Sequence, residues 1–306
     1  MQSLLLNTIN WNDYGLIDSG HGRKLERFGK YLFSRPEPQA FWSPRMPKEL
    51  WNKVSGTFIT SSAIENENVK GKWSLKDNVP IKWEISFDNL KFFATPTPFR
   101  HLGFFPDQSP HWLWAAKKLS QFNSFINKQD TPKVLNLFGY SGIASLHAAY
   151  YGASVTHVDA SKKAINFAFE NRNLSSLQNL PIKFITDDAI KFVQREIRRN
   201  NKYDAIILDP PKYGRGPNGE KWDLYKDLPL LLKLIPKVLT EDPIFIILNS
   251  YAIRSSYLSL HFALKESMKD YSGQVQSGEL SIIEEQVNPR QISTAIFSRW
   301  ANTKIS

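Results

Sequence analysis

From about Pro106 onward the chain alternates between short hydrophobic runs and helical stretches, and this rhythm restricts the possible folds more than any other feature. Residues 107–123 carry helical periodicity, with Trp112, Ala115, Ala116 and Leu119 on one face. Strands are expected at 134–138, 154–158, 182–185, 203–208 and 244–248. Helices are expected at 143–151, 162–174, 189–199, 228–239 and 256–268, with Ser161 capping the second. Strands and helices in strict alternation predict a parallel, doubly wound α/β sheet. Two late runs, 280–285 and 293–299, have no helix between them and are expected as an antiparallel pair at the sheet edge.

Before residue 95 the pattern differs. Strand-like runs at 30–34, 56–61, 70–75 and 81–87 are separated by turn residues, and residues 69–73 alternate like a half-exposed strand. The expected organisation is a small β-rich accessory domain, 1–95, followed by a larger α/β domain, 96–306. The most basic spot of the first domain is 18–28, with His21, Arg23, Lys24 and Arg27, which suits either phosphate contact or a solvated turn.

Composition narrows the chemistry. The 306 residues contain no cysteine, which removes thiolate metal sites, iron–sulfur clusters and cysteine nucleophiles. The six histidines form no metal-ligand spacing, so no metal is expected. No run reaches the roughly 20 apolar residues that span a bilayer, and the N-terminus has no signal-peptide pattern, so a cytoplasmic protein without a membrane partner is expected. The formal charge is +10, of which +2 falls in residues 1–90 and +8 in the remainder. That balance suits RNA or another polyanion, or simply a solvated surface.

The chemistry-bearing residues sit where strands end. The first α/β strand runs through Asn136 and Phe138 into the turn Gly139-Tyr140-Ser141-Gly142 and a helix. Such a turn directs backbone N–H groups at a ligand on the carboxyl edge of a sheet, although an ordinary tight turn has the same composition. The second strand ends in Asp159-Ala160-Ser161, about 20 residues after the glycine turn, where an acid binds ribose hydroxyls or caps a helix. The third ends in Asp187-Asp188-Ala189, acids that either complement a helix dipole or meet an adenine amine. The fourth ends in Asp209-Pro210-Pro211-Lys212-Tyr213. Two prolines fix the backbone after a carboxylate and leave carbonyl acceptors, with an aromatic ring two residues on. Residues 214–222, with Arg215, Lys221 and Trp222, read as a mobile lid beside it or as a disordered surface excursion.

In this order the segments Asn136–Gly142, Asp159–Ser161, Asp187–Ala189 and Asp209–Tyr213 resemble the successive motifs of class I S-adenosylmethionine-dependent methyltransferases. Among these they are most similar to the branch of large-subunit ribosomal RNA methyltransferases, where a tyrosine also stands in the glycine turn. Phe105-Pro106-Asp107-Gln108 is similar to a segment ahead of the first strand in that branch. The resemblance covers about residues 100–300 and implies a Rossmann-like sheet, with S-adenosylmethionine as cofactor. It implies that Asn136–Gly142 cradles the methionine part and that Asp159, with Ala160 and Ser161, lies at the ribose. Asp187, Asp188 and Ala189 would lie near the adenine, Gln108 over the cofactor, and Asp209 through Tyr213 at the methyl acceptor. The chain departs from that branch's cytosine C5 chemistry, which needs a thiolate to add to C6. Leu248-Asn249-Ser250-Tyr251 follows the fifth strand with no thiol. The expected activity is therefore methylation of a nitrogen on RNA, ribosomal RNA favoured. A small-molecule or protein methyltransferase, an NAD-dependent oxidoreductase and a non-catalytic nucleic-acid-binding protein remain as alternatives.

Overall fold

A computed structural model describes residues 2–8, 11–60, 71–125, 131–251, 253 and 255–305. The chain begins with β1 (Leu4–Asn7), β2 (Tyr14–Gly20), β3 (Arg23–Phe28) and β4 (Tyr31–Pro36). The short helix α1 (Lys48–Asn52) leads to β5 (Gly56–Thr60), β6 (Gly71–Leu75), β7 (Trp83–Phe87) and β8 (Leu90–Ala94). Then come α2 (Ser109–Phe125), β9 (Lys133–Leu137), α3 (Ile143–Tyr150), β10 (Ser154–Asp159), α4 (Lys162–Leu174) and β11 (Ile182–Thr186). They are followed by α5 (Ala189–Arg198), β12 (Ala205–Leu208), β13 (Tyr213–Arg215), β14 (Lys221–Asp223) and α6 (Leu224–Leu234). Last are β15 (Phe245–Tyr251), α7 (Tyr257–Ser267), β16 (Gly273–Ile283) and β17 (Gln291–Asn302).

Contacts group the chain into two units, one of residues 1–6, 110–280 and 295–306, the other of residues 7–109 and 281–294. The N-terminal β-rich region thus takes in a stretch from near the far end of the chain.

In the larger unit an eight-stranded sheet has the order β1-β16-β17-β15-β12-β9-β10-β11. The strands β15, β12, β9, β10 and β11 pair in parallel, and β17 joins β15 antiparallel. The central strands are apolar and buried over 205–208 and 245–248 because helices cover both faces. One face packs Phe192 and Val193 of α5, Leu228 and Leu231 of α6 and Leu260 and Leu264 of α7 against Leu135, Ile206 and Leu248. The other packs Ala115, Leu119 and Phe122 of α2 and Ala148 of α3 against Val134, Ile207 and Ile247. The expected sheet is present. The late strands are longer than expected, and they are not at the edge, because β1 flanks β16.

The smaller unit holds a five-stranded sheet, β2-β3-β4-β5-β6, and the β7-β8 hairpin. Its core is aromatic, built from Trp11, Phe28, Phe33, Phe92 and Phe104 among others. Residues 18–28, expected as a phosphate contact or a solvated turn, form most of the β2-β3 hairpin. Lys24 is buried against Glu37, and Arg23 donates to Ser34 Oγ, so these cations serve the fold. Alternation hid these strands, because their inward residues are polar and paired. Glu26 is fully buried, and Arg35 donates to both of its oxygens at 2.7 Å. Tyr14 Oη adds a third hydrogen bond to it at 2.9 Å. Burial pushes the Glu26 carboxyl up, but Arg35, Lys24 and these hydrogen bonds outweigh that and hold it at about 2. Of the expected strand residues, Ser61, Val69 and Lys70 lie outside the described residues.

Candidate active site

Register gathers the predicted residues at one sheet edge. Leu137 of β9 pairs with Val158 of β10 and with Leu208 of β12, and Leu208 pairs with Leu248 of β15. One step further along these parallel strands stand Asp159, Phe138, Asp209 and Asn249, in that spatial order. Strand order reverses at β9, since the chain continues to β10 on one side and later returns to β12 on the other. The carboxyl ends of strands on either side of such a switch point open a ligand-binding crevice.

The turn after β9 has an unusual backbone. Phe138 and Tyr140 adopt φ of 60° and 46°, and Gly142 follows at 81°. Left-handed conformations at non-glycine residues concentrate where a site requires them. Gly139 is needed for space: a Cβ there would stand 2.3 Å from the His157 ring. His157 is buried and bonded through Nδ1 to Ser145 Oγ, and burial holds its imidazole at about 3. Ser145 Oγ also accepts from Asn136 Nδ2 at 2.8 Å, so the Asn136 amide is spent tying β9 to α3. Asn171 on α4 donates to the Ser141 carbonyl at 2.8 Å and fixes the far side of the turn. Nothing in the local sequence marks Asn171, because its role depends on the packing of α4.

Asp159 Oδ2 accepts from the Tyr140 N–H at 2.9 Å, and Oδ1 accepts from the Ser161 N–H at 2.8 Å. Burial raises this carboxyl, with the two backbone N–H groups working against the rise. Ser161 caps α4, as expected, by accepting from the Ala164 N–H. The capping role considered for Asp159 therefore falls to Ser161. Asp188 does cap α5, accepting from the Lys191 N–H at 3.0 Å, with Ala189 opening that helix. Asp187 pairs with Arg195 at 2.5 Å. These acids have structural partners on α5. Gln108 is buried in the 3-10 turn Pro106–Gln108, which belongs to the smaller unit.

After β12, Asp209 has its Oδ1 buried and Pro210 is buried, while Pro211 faces outward. Residues 213–223 are not a structureless loop. They form the β13-β14 hairpin, with Gly214 opposite Trp222. Its strands escape periodicity arguments because each is three residues long. Trp222 is buried against Phe138, ring centroids 4.8 Å apart, and its Nε1 donates to the Pro211 carbonyl. Its ring is therefore core, not a stacking surface. Tyr213 is the exposed aromatic, 60% accessible, with Arg215 and Lys221 exposed beside it. Lys191 of α5 pins the hairpin through Glu220 at 2.5 Å.

Three polar groups escaped the sequence reading as site residues. His111, on the first turn of α2, and Asn249 and Ser250, on β15, are all buried, and among the described residues their side-chain nitrogen and oxygen atoms have no hydrogen-bond partner. Burial, then the Arg299 charge, hold the His111 imidazole at about 3. The Asn249 amide opposes that shift, yet the pair makes no hydrogen bond of acceptable geometry. Among the described residues no group of acids and histidines is arranged to hold a metal, and no helix is long and apolar enough to cross a membrane.

Comparison with known proteins places this geometry. Residues 115–227 match the family described as Conserved hypothetical protein 95. A crystal structure described as an SAM-dependent methyltransferase from Agrobacterium tumefaciens is 42% identical, with a TM-score of 0.91 over 98% of this chain and 94% of that one. Ribosomal RNA large subunit methyltransferase K/L of Shewanella frigidimarina is 36% identical over 40% of this chain and 17% of its own length. The protein of the same name from Pseudoalteromonas atlantica is 40% identical over 35% of this chain and 15% of its own. The chain thus spans well under half the length of these curated relatives.

Proposed function

The chain belongs to the S-adenosylmethionine-dependent methyltransferases, and on that premise we propose that it methylates a nitrogen atom of RNA, with ribosomal RNA the favoured molecule. The observation that carries this is the juxtaposition of the Asp159 carboxylate, the glycine turn and Asp209 on adjacent strand ends, with Tyr213, Arg215 and Lys221 exposed on the hairpin that follows.

The residues fit the cofactor. Each Asp159 oxygen accepts one backbone N–H and retains a lone pair for a ribose hydroxyl. Left-handed φ at Phe138, Tyr140 and Gly142 shapes the backbone of 138–142 beside Asp159, which holds the Tyr140 N–H. S-adenosylmethionine supplies a methyl group already activated on a sulfonium, so the protein's part is positioning. Asp209 and the carbonyls of the Pro-Pro step would accept hydrogen bonds from an exocyclic amine and turn its lone pair to the methyl; as the N–C bond forms the sulfonium S–C bond breaks, and one amine proton passes to the Asp209 carboxylate or to solvent. A nitrogen acceptor needs no covalent nucleophile, in keeping with a chain that contains no cysteine. Tyr213 offers a face for an unpaired base, and Arg215 and Lys221 offer charge to its phosphates. Relatives named as ribosomal RNA methyltransferases support the same substrate.

The test is methyl transfer from labelled cofactor to ribosomal RNA of a strain lacking the gene, with mass spectrometry of the nucleosides. A single modification missing in the deletion strain and restored by the purified protein is expected. Label on a carbon, or no label on RNA, rejects the proposal.

A further inference from the structure

Asn249 is fully buried, and among the described residues neither its Nδ2 nor its Oδ1 has a hydrogen-bond partner. Buried amides in folded proteins are nearly always satisfied, so an unsatisfied one points to a ligand. Its position says which ligand. Asn249 follows Leu248, Asp209 follows Leu208, and those leucines are paired. Asn249 shares its strand face with Phe245 and Ile247, the face that α2 covers and on which His111 stands. Asp159 lies on the other side of β9 and β12, three strands away. At about 4.8 Å per strand that is roughly 14 Å, too far for one ribose to bridge. The Asp159 end of the row therefore serves the cofactor, and the Asn249 end serves the methyl acceptor.

Resting on the RNA reading above, we infer that Asn249 is a second acceptor-binding residue, whose amide, beside the Asp209 carboxylate, grips the hydrogen-bonding edge of a nucleobase. A carboxylate only accepts, whereas the amide both donates and accepts in one plane. Together they suit a planar heterocycle whose edge carries donors and an acceptor side by side. They do not suit an aliphatic amine, which has only donors to offer. Asn249 raises selectivity because a base lacking the matching edge leaves a buried amide unpaired.

The experiment compares the wild type with Asn249→Ala and Asn249→Asp in cofactor titration, thermal melting and methyl transfer to ribosomal RNA from the deletion strain. Both variants are expected to melt cooperatively and to keep cofactor affinity within about twofold, as acceptor-side residues should. Asn249→Ala is expected to lower kcat/KM by roughly 10-fold to 100-fold through loss of the matched edge. The aspartate variant supplies a readout that a structural role would not move. Its ionised carboxylate cannot donate, but the protonated acid offers one donor and one acceptor like the amide. Its activity relative to wild type is expected to rise as pH falls. The charged or titratable groups set to act on it are Asp209 at the end of β12, His111 on α2 and Arg299 on β17. Wild-type kcat/KM in the alanine variant, or loss of cofactor binding in both variants, overturns the inference. A wild-type enzyme that methylates no RNA overturns the RNA reading and this inference with it; an active wild type with an unaffected alanine variant overturns this inference alone.

Discussion

The indole Nε1 of Trp222 donates to the Pro211 carbonyl oxygen at 2.7 Å, which fastens the β13-β14 hairpin to the rigid step after Asp209. The same ring packs on Phe138 in the glycine turn after β9. One side chain thereby sets the spacing between the two halves of the candidate site. Trp222→Phe keeps the packing and loses the hydrogen bond. It is expected to cost about 1 kcal/mol of stability and to raise KM for the acceptor more than for the cofactor. Denaturant unfolding and steady-state kinetics check both; an unchanged KM would separate the hairpin from the site.

Asp159→Ala removes a half-buried carboxylate that two backbone N–H groups already hold in place. Cofactor affinity is expected to fall at least about tenfold, since hydrogen bonds to a charged acceptor contribute roughly 1.5–3 kcal/mol each. Calorimetric titration of the folded variant measures this. Equal affinity would leave Asp159 as a brace for the turn alone.

Acid should weaken the protein through Glu26. Its carboxyl is held at about 2 in the folded state, against an ordinary value of 4.5. A depressed carboxyl stabilises the fold above its unfolded pKa and loses that contribution as pH falls. The window therefore runs from about 4.5 down to about 2, and the contribution is on the order of 3 kcal/mol. Melting temperature measured between pH 2 and 6 should fall through this range. Glu26→Gln should flatten that limb and cost about 3–5 kcal/mol at neutral pH, because Arg35 is left buried without its partner.

The logarithm of the affinity for ribosomal RNA fragments should fall linearly with the logarithm of salt concentration. Arg215→Ala and Lys221→Ala should each reduce the slope by about 1, as expected for single phosphate contacts. Tyr213→Ala should weaken binding without changing the slope, since stacking releases no counterions. A slope untouched by either cation would move the RNA path away from the hairpin.

The larger sheet was legible in the sequence because its central strands hold short apolar runs between helical stretches and the acids and glycines fall at their ends. Asp159 and Asp209 could be placed from spacing alone. The smaller unit was less legible, since Lys24, Glu26 and Arg35 are buried and paired, Lys24 with Glu37 and Arg35 with Glu26, which inverts the usual pattern. Trp222 was misplaced because strands of three residues carry no period. Asn249 and His111 looked unremarkable, because whether a buried polar group has a partner is decided by tertiary packing.

Asp18 shows a different consequence of the chain's path. It is buried in the smaller unit, where the N–H groups of Arg45 and Met46 and the Trp51 indole bind it, and Arg290 supplies the charge that balances it. Arg290 also grips Glu284, which holds Ser19. The counter-charge lies 272 residues downstream of the acid it serves. Domains usually complete their folding as they leave the ribosome, N-terminal first. Here Asp18 must wait for a residue made 272 positions later, so its buried carboxylate stays without this counter-charge until Arg290 has been synthesised. A premature stop before Arg290 would damage the N-terminal unit although every one of residues 7–109 had been made.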